Sequence, residues 1–238
     1  RKINSMMIND YSKGLKSIIE AVNPFKINYT QVSAGFKTQT EEKVLYVELN
    51  EQTKNLIKRL KRDRVVEGDG EIILGDTGVK LMSKIHQLCS GTVKFESGNA
   101  MTVDFSKVHF IKKYFDNKKI AIFYKFTQEY KALKEIYGDE LTNDLEEFKN
   151  TDKCIALQIV AGREGVSLKE AEALVYYNID FSATSYFQSR DRMTTKERLY
   201  NKIYWIFSNK GIENDIYKAV VKKKDYTLSH FKRDSLDL

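Results

Sequence analysis

The stretch KKIAIFYKFTQEYKALKEIYG, Lys118 to Gly138, decides the fold. Its apolar run, Ile120 to Tyr124, reads as a strand buried on both faces. TQEYKALKEIY then carries apolar residues at helical spacing and stops at Gly138, a helix closed by glycine. A buried strand leading directly into a helix is the repeating unit of a parallel sheet covered on both faces.

The same rhythm continues downstream. KCIALQIVAG (153–162), EALVYYNI (172–179) and NKIYWIFSNKG (201–211) are further strands. LTNDLEEFKN (141–150), ATSYFQSRDRM (183–193) and IENDIYKAVVKKK (212–224) are the helical pieces between and after them, and amphipathic SKVHFIKKYFDN (106–117) precedes them. We therefore expect an α/β domain over 106–238, a parallel sheet with helices on both faces.

Residues 1–105 differ in texture and read as a mainly helical extension. EEKVLYVELN alternates from Val44 as a strand does, and Asn50 is placed to cap a helix carrying Leu56, Ile57 and Leu60. DTGVKLMSKIHQLCSG predicts a second helix, with Asp76 near its start and Gly91 past its end. GTVKFESGNAMTVDF holds two short alternating runs around ESGN, a hairpin signal.

Bulk composition narrows the classes. With 238 residues, 42% apolar and 12% aromatic, the chain can bury a real core, and one proline with no Ser/Gly-rich linker argues against disorder. Runs such as IAIFY are far too short to cross a bilayer, and no signal-peptide pattern opens the chain. Cys89 and Cys154 stand apart and there are three histidines, which disfavours structural zinc and favours a reducing, intracellular setting. Forty Lys+Arg against 33 Asp+Glu give +7, which suits a polyanionic partner and equally an ordinary basic domain. The chain opens on Arg1 rather than Met, so we expect a piece of a longer protein.

Ligands of open parallel sheets bind at the carboxyl ends of strands, and three stretches fall there. Lys125-Phe126-Thr127 opens a helix, where backbone N–H groups and a hydroxyl can meet a phosphate, or simply cap the helix. AGREGVSL (161–168) sets Gly162 and Gly165 where a close approach or a tight turn needs them. QSRDRMTTKER (188–198) gathers arginines before the last strand, as a site or as a salt-bridge cluster.

In this order these stretches resemble the second RecA-like domain of superfamily-2 helicases and translocases. AIFYKFT resembles motif IV, AGREGVSLKEAEALVYYNIDFS motif V and QSRDR motif VI. VLYVELNEQTKNLIKRL, KIHQLCSG and SKVHFIKKYF resemble the segments leading into that domain in Swi/Snf-like translocases, nearest the phage and prophage branch. The resemblance covers about 40–224 and implies a cytoplasmic, bacterial or phage-encoded protein.

It also implies roles. Two RecA-like domains sandwich ATP; the first binds the phosphates and Mg²⁺, and the second supplies arginine fingers that stabilise charge in the transition state. The family's glutamine and its plus-four arginine match Gln188 and Arg192, the catalytic candidates. The plus-seven place is Thr195, which leaves Arg190, Lys196, Arg198 or a single finger as alternatives. Gly162, Glu164, Gly165 and Arg190 are the expected ATP-side residues, and Lys125, Thr127, Arg163 and Ser167 the expected contacts to nucleic acid, double-stranded DNA first.

A P-loop is missing: the spacing from Gly70 to Gly75 is followed by Asp76 rather than by lysine. DELT (139–142) mimics a helicase acidic box but follows a helix, so it reads as a loop or helix start. ATP and Mg²⁺ are thus expected only together with an N-terminal RecA-like partner domain. A non-catalytic nucleic-acid-binding module and a small-molecule α/β enzyme are the alternatives. Against the latter, no His/Asp/Glu cluster or nucleophile elbow marks a strand end.

Overall fold

The computed structural model describes residues 2–3, 6–7, 39–159, 167–185, 200–222 and 226–236. The chain divides into two compact units, Arg1–Lys37 and Thr38–Leu238. What is described of the first is an antiparallel ribbon in which β1 (Lys2–Ile3) pairs with β2 (Met6–Met7).

The second unit holds the expected parallel sheet, with helices on both faces. Its strands are β3 (Gln39–Val47), β8 (Ile120–Tyr124), β9 (Leu141–Thr142), β10 (Cys154–Gln158), β11 (Ala173–Tyr176) and β12 (Tyr200–Ser208). They lie in the order β3-β12-β11-β8-β10-β9, and every pairing is parallel. β3 comes from the region that the sequence reading placed in the extension, and it pairs with β12 along its whole length, from Gln39↔Tyr200 to Val47↔Ser208. Leu141 and Thr142, read as a loop or helix start, form the edge strand β9 against Cys154 and Ile155. Two residues carry no periodicity, so only the neighbouring strand makes them one.

Alternation along the strands feeds two cores. Ala121, Phe123, Leu174, Tyr176 and Trp205 point to one face, where α2 (Gly78–Cys89) and α6 (Ile212–Val221) pack. Ile120, Ile122, Val175, Tyr177 and Ile206 point to the other, beneath α3 (Ser106–Tyr114) and α4 (Thr127–Tyr137). On the first face Tyr176 stacks on Phe123 at 5.1 Å and on Trp205 at 4.0 Å, which ties three adjacent strands together.

The remaining helices are α1 (Glu51–Asp63), α5 (Leu145–Asn150) and α7 (Leu228–Leu236). Asn50 caps α1 as expected, its side chain accepting from the Thr53 N–H at 2.7 Å. The ESGN hairpin is present, β6 (Thr92–Lys94) against β7 (Ala100–Thr102). A second hairpin, β4 (Val65–Gly68) against β5 (Glu71–Leu74), turns on Asp69 and Gly70, both at positive φ (51° and 76°). Asp-Gly between two short apolar runs is the sequence signal for that turn.

Gly91 closes α2 and cannot be replaced without movement. Its φ is +81°, and a Cβ there would lie 2.1 Å from the Asp104 carbonyl oxygen. Among the described residues no helix is long and apolar enough to cross a membrane.

Candidate functional site

Sheet topology opens a crevice between β8 and β11. β8 leads through α4 to the edge strand β9, whereas β11, on its other side, leads to β12. Neighbouring strands that lead away from each other leave a crevice at their carboxyl ends. Here one wall is the turn Lys125–Thr127 and the other the segment Tyr177–Phe181.

An ion pair spans the crevice. The Lys125 ammonium lies 2.5 Å from Asp180 Oδ1, and the two side chains are only 21% and 16% exposed. Burial works against the Asp180 carboxylate, but the Lys125 hydrogen bond and charge outweigh it and hold its pKa below the ordinary value. The ammonium also sits 5.1 Å from the centre of the Phe181 ring.

Beneath the pair runs a buried polar relay. Glu129, wholly buried in the first turn of α4, accepts from the backbone N–H groups of Lys125 (2.7 Å) and Phe126 (3.1 Å) and from Asn178 Nδ2 (2.5 Å). Burial raises the Glu129 pKa, and these donors oppose the shift. A carboxylate only accepts, so it turns the Asn178 amide nitrogen toward itself and the amide oxygen toward His86, 2.5 Å away. His86 must then donate from Nε2, and its Nδ1, which has no hydrogen-bond partner among the described residues, carries a lone pair. Burial first, then the Lys125 charge, push the His86 pKa down to about 3, so the ring is neutral.

This relay alters one expectation. The N–H groups of Lys125 and Phe126, read as open to a phosphate, are already taken by Glu129. What the turn presents outward is the exposed Thr127 and a Lys125 ammonium shared with Asp180. Ser167 is exposed on the segment that enters β11. Gly162, Arg163, Glu164, Gly165, Gln188, Arg190 and Arg192 lie outside the described residues.

A second buried cluster fixes the neighbouring strand ends. Lys107 of α3 and Glu213 of α6 pair at 2.6 Å with both side chains wholly buried. Lys107 Nζ also donates to the Tyr177 carbonyl at 3.4 Å, and Ser208 Oγ donates to Glu213 at 2.8 Å. Gly211 leaves the space this needs, since a Cβ there would lie 1.8 Å from Ser208 Oγ and 2.1 Å from Glu213 Oε2. Both cysteines are free and buried, and burial pushes the Cys89 thiol up to about 12, so neither is a ready nucleophile.

Sequence reasoning missed His86, Glu129, Asn178 and Asp180. Glu129 had a signal, an acid in the first turn of a helix that opens at a strand end. Asn178 and Asp180 directly follow an apolar strand, where polar residues mark a loop. Nothing in the sequence pairs them with His86, which is 92 residues from Asn178.

No protein-family model and no curated protein matches the chain. Solved structures do. The C-terminal part of the Fun30 ATPase domain superposes with a TM-score of 0.59 at 14% identity, covering 84% of this chain and 95% of that one. The SWI2/SNF2 ATPase core domain of Sulfolobus solfataricus superposes with a TM-score of 0.53 at 16% identity, covering 90% of this chain and 50% of that one. At such identities the likeness concerns architecture: the chain has the RecA-like α/β fold found in SWI2/SNF2-type ATPase domains.

Proposed function

We propose that this chain is the C-terminal motor half of an ATP-dependent DNA helicase or translocase of Swi/Snf-like type, from the phage or prophage branch. The observation that carries the reading is the likeness to the C-terminal part of the Fun30 ATPase domain, 95% of which the chain covers. The order of the strand-end stretches, Lys125–Thr127, 161–168 and 188–198, supports it.

On this reading ATP, bound with Mg²⁺ between this chain and an N-terminal RecA-like domain, supplies the phosphoryl group for transfer to water. As the resemblance to superfamily-2 motors implies, the metal ligands are assigned to the N-terminal domain. Gly162, Glu164, Gly165 and Arg190 face the nucleotide, and Gln188 sets the loop that carries Arg192. The Arg192 guanidinium stabilises charge as it spreads over the transferred group. Duplex DNA lies across the strand-end turns, its phosphates meeting Thr127, Arg163 and Ser167. Lys125 joins them only in competition with Asp180.

The test is ATP turnover by residues 1–238 alone and by the chain joined to its N-terminal RecA-like domain, each with and without duplex DNA. The reading requires no turnover from the first and DNA-stimulated turnover from the second. Robust hydrolysis by the 238-residue chain alone overturns it.

A further inference from the structure

A trough runs along α1, away from the β8–β11 crevice. Its first part, about 760 Å³, opens at the carboxyl ends of β3 and β12 and is walled by α1, α6 and α7. Its second part, about 600 Å³, continues between α1, the start of α2 and α7. Lys61 and Phe231 line both, so the two adjoin. From Lys54 to the C-cap residue Arg64 the trough follows α1 for ~15 Å at the rise of a helix. None of Lys125, Thr127, Asn178 and Asp180 lines it.

The chemistry of its walls is uneven. Lys54, Lys58 and Lys61 recur at helical spacing along one side of α1, Lys210 stands at the end of β12, and Lys232 faces in from α7. The carboxylates that line the trough are already engaged: Glu48 by Lys54 at 3.0 Å, Asp76 by Lys80 at 3.3 Å, Asp215 by Lys218 at 3.3 Å and Asp234 by Arg233 at 2.8 Å. Lys58, Lys61 and Lys232 have no carboxylate partner among the described residues, whereas the Lys210 charge acts on Glu48. The floor is apolar: Leu49, Ile57, Leu81, Ile85 and Ile212.

We propose that this trough docks an acidic polypeptide segment of a partner protein, its carboxylates on Lys58 and Lys61 of α1 and its apolar side chains along Ile57 and the floor. Two adjoining cavities along the length of α1 suit a polymer better than a metabolite. A phosphate backbone is the poorer match. It has no apolar surface to bury on the floor, and its dense charge would lie against Asp76, Asp215 and Asp234. The aromatic residues offer no base platform, because Tyr226 is 4% exposed with its ring stacked between Phe181 and His230. A peptide bearing both acids and aliphatic side chains satisfies wall and floor together. The inference does not depend on the motor reading.

The probe is a library of random 12-mer peptides, selected by display on the 238-residue chain and followed by fluorescence polarisation of the enriched sequences. The expected result is enrichment of peptides that combine Asp/Glu with aliphatic residues. Their affinity should fall on the order of tenfold or more in the double variant Lys58→Glu/Lys61→Glu. Lys232→Glu, on the opposite wall, should weaken the same peptides several-fold. Thermal melts check that both variants fold, and duplex DNA added as competitor should not displace the peptide. Failure to enrich acidic peptides overturns the proposal, as does binding that both variants leave intact. Displacement by duplex DNA whose own affinity falls in Lys58→Glu/Lys61→Glu also overturns it, making the trough a nucleic-acid surface. DNA binding through the β8–β11 crevice is read in the same assay and should survive both variants, so the two readings fail separately.

Discussion

Asp180 clamps the Lys125 ammonium across the crevice at 2.5 Å, each residue coming from the loop that ends a different central strand. The pair neutralises the cation that the strand-end turn would otherwise present to an anion. It also ties the position of one loop to that of the other, since Glu129 and Asn178 join the same two loops from below. A phosphate arriving at the start of α4 must therefore compete with a carboxylate, and the strength of that competition can be measured.

Asp180→Asn removes the competing charge, while an amide oxygen can still accept from the Phe181 N–H that Asp180 Oδ1 now takes at 2.8 Å. We expect duplex DNA to bind the chain more tightly, with log K falling more steeply against log[salt] by about 0.9 for one added phosphate contact. Fluorescence polarisation from low to moderate salt gives both quantities. An unchanged slope would place Lys125 outside the DNA path.

Arg192→Ala, made in the chain joined to its N-terminal domain, should lower kcat by on the order of 10³-fold or more, with much smaller effects on ATP and DNA binding. Lysine at 192 should rescue poorly, because a point charge lacks the planar fork of guanidinium. Thr195→Arg should keep or raise turnover if 195 is an unfilled finger position. Steady-state kinetics at saturating DNA read all three variants, and wild-type turnover in Arg192→Ala would reduce the arginines of 188–198 to a salt-bridge cluster.

His86 makes the fold acid-sensitive in a defined window. Its pKa is about 3 in the folded chain against an ordinary 6.5, so as pH falls the unfolded chain takes the proton first. Its contribution is complete above pH 6.5 and is lost as pH falls toward 3, at up to ~1.4 kcal/mol per pH unit. Glu129, whose pKa burial raises, works in the opposite direction, so total stability does not isolate the effect. The difference between wild type and His86→Gln does. Urea melts at pH 7 and pH 5 should show the variant losing less stability than wild type.

Removing one partner of the Lys107–Glu213 pair leaves a buried charge uncompensated. Lys107→Met should cost ~3–5 kcal/mol, and Lys107→Met/Glu213→Leu should cost less than the single variants combined. Denaturant melts of the four proteins close the cycle. Simple additivity would show that the two groups do not interact.

Gly91→Ala tests backbone geometry alone. A side chain at φ +81° with its Cβ 2.1 Å from the Asp104 carbonyl oxygen forces the α2–β6 turn to move. We expect a loss of ~2 kcal/mol or more, read from the shift of the denaturation midpoint. Gly98→Ala, also at positive φ (+95°) but with nothing within 4 Å, should cost less and separates strain from collision.

What the sequence determined by itself was whatever is local or periodic. Ile120–Tyr124 and Ala173–Tyr176 are almost wholly buried in the structure, as continuous apolar runs demand. Asn50 caps its helix because an amide side chain three residues before an N–H can reach it. Strand order, partners and the chemistry of the crevice were decided by the tertiary structure. β3 reads as an isolated alternating strand and becomes the edge of the sheet only by pairing with β12, more than 150 residues away. Lys125 reads as a free cation until Asp180, 55 residues on, is brought against it. His86 and Asn178 are unremarkable polar residues in the chain. Only after the sheet has formed does burial remove water from both, so that the His86 Nε2 proton goes to the Asn178 amide oxygen and the Asn178 amide nitrogen to Glu129.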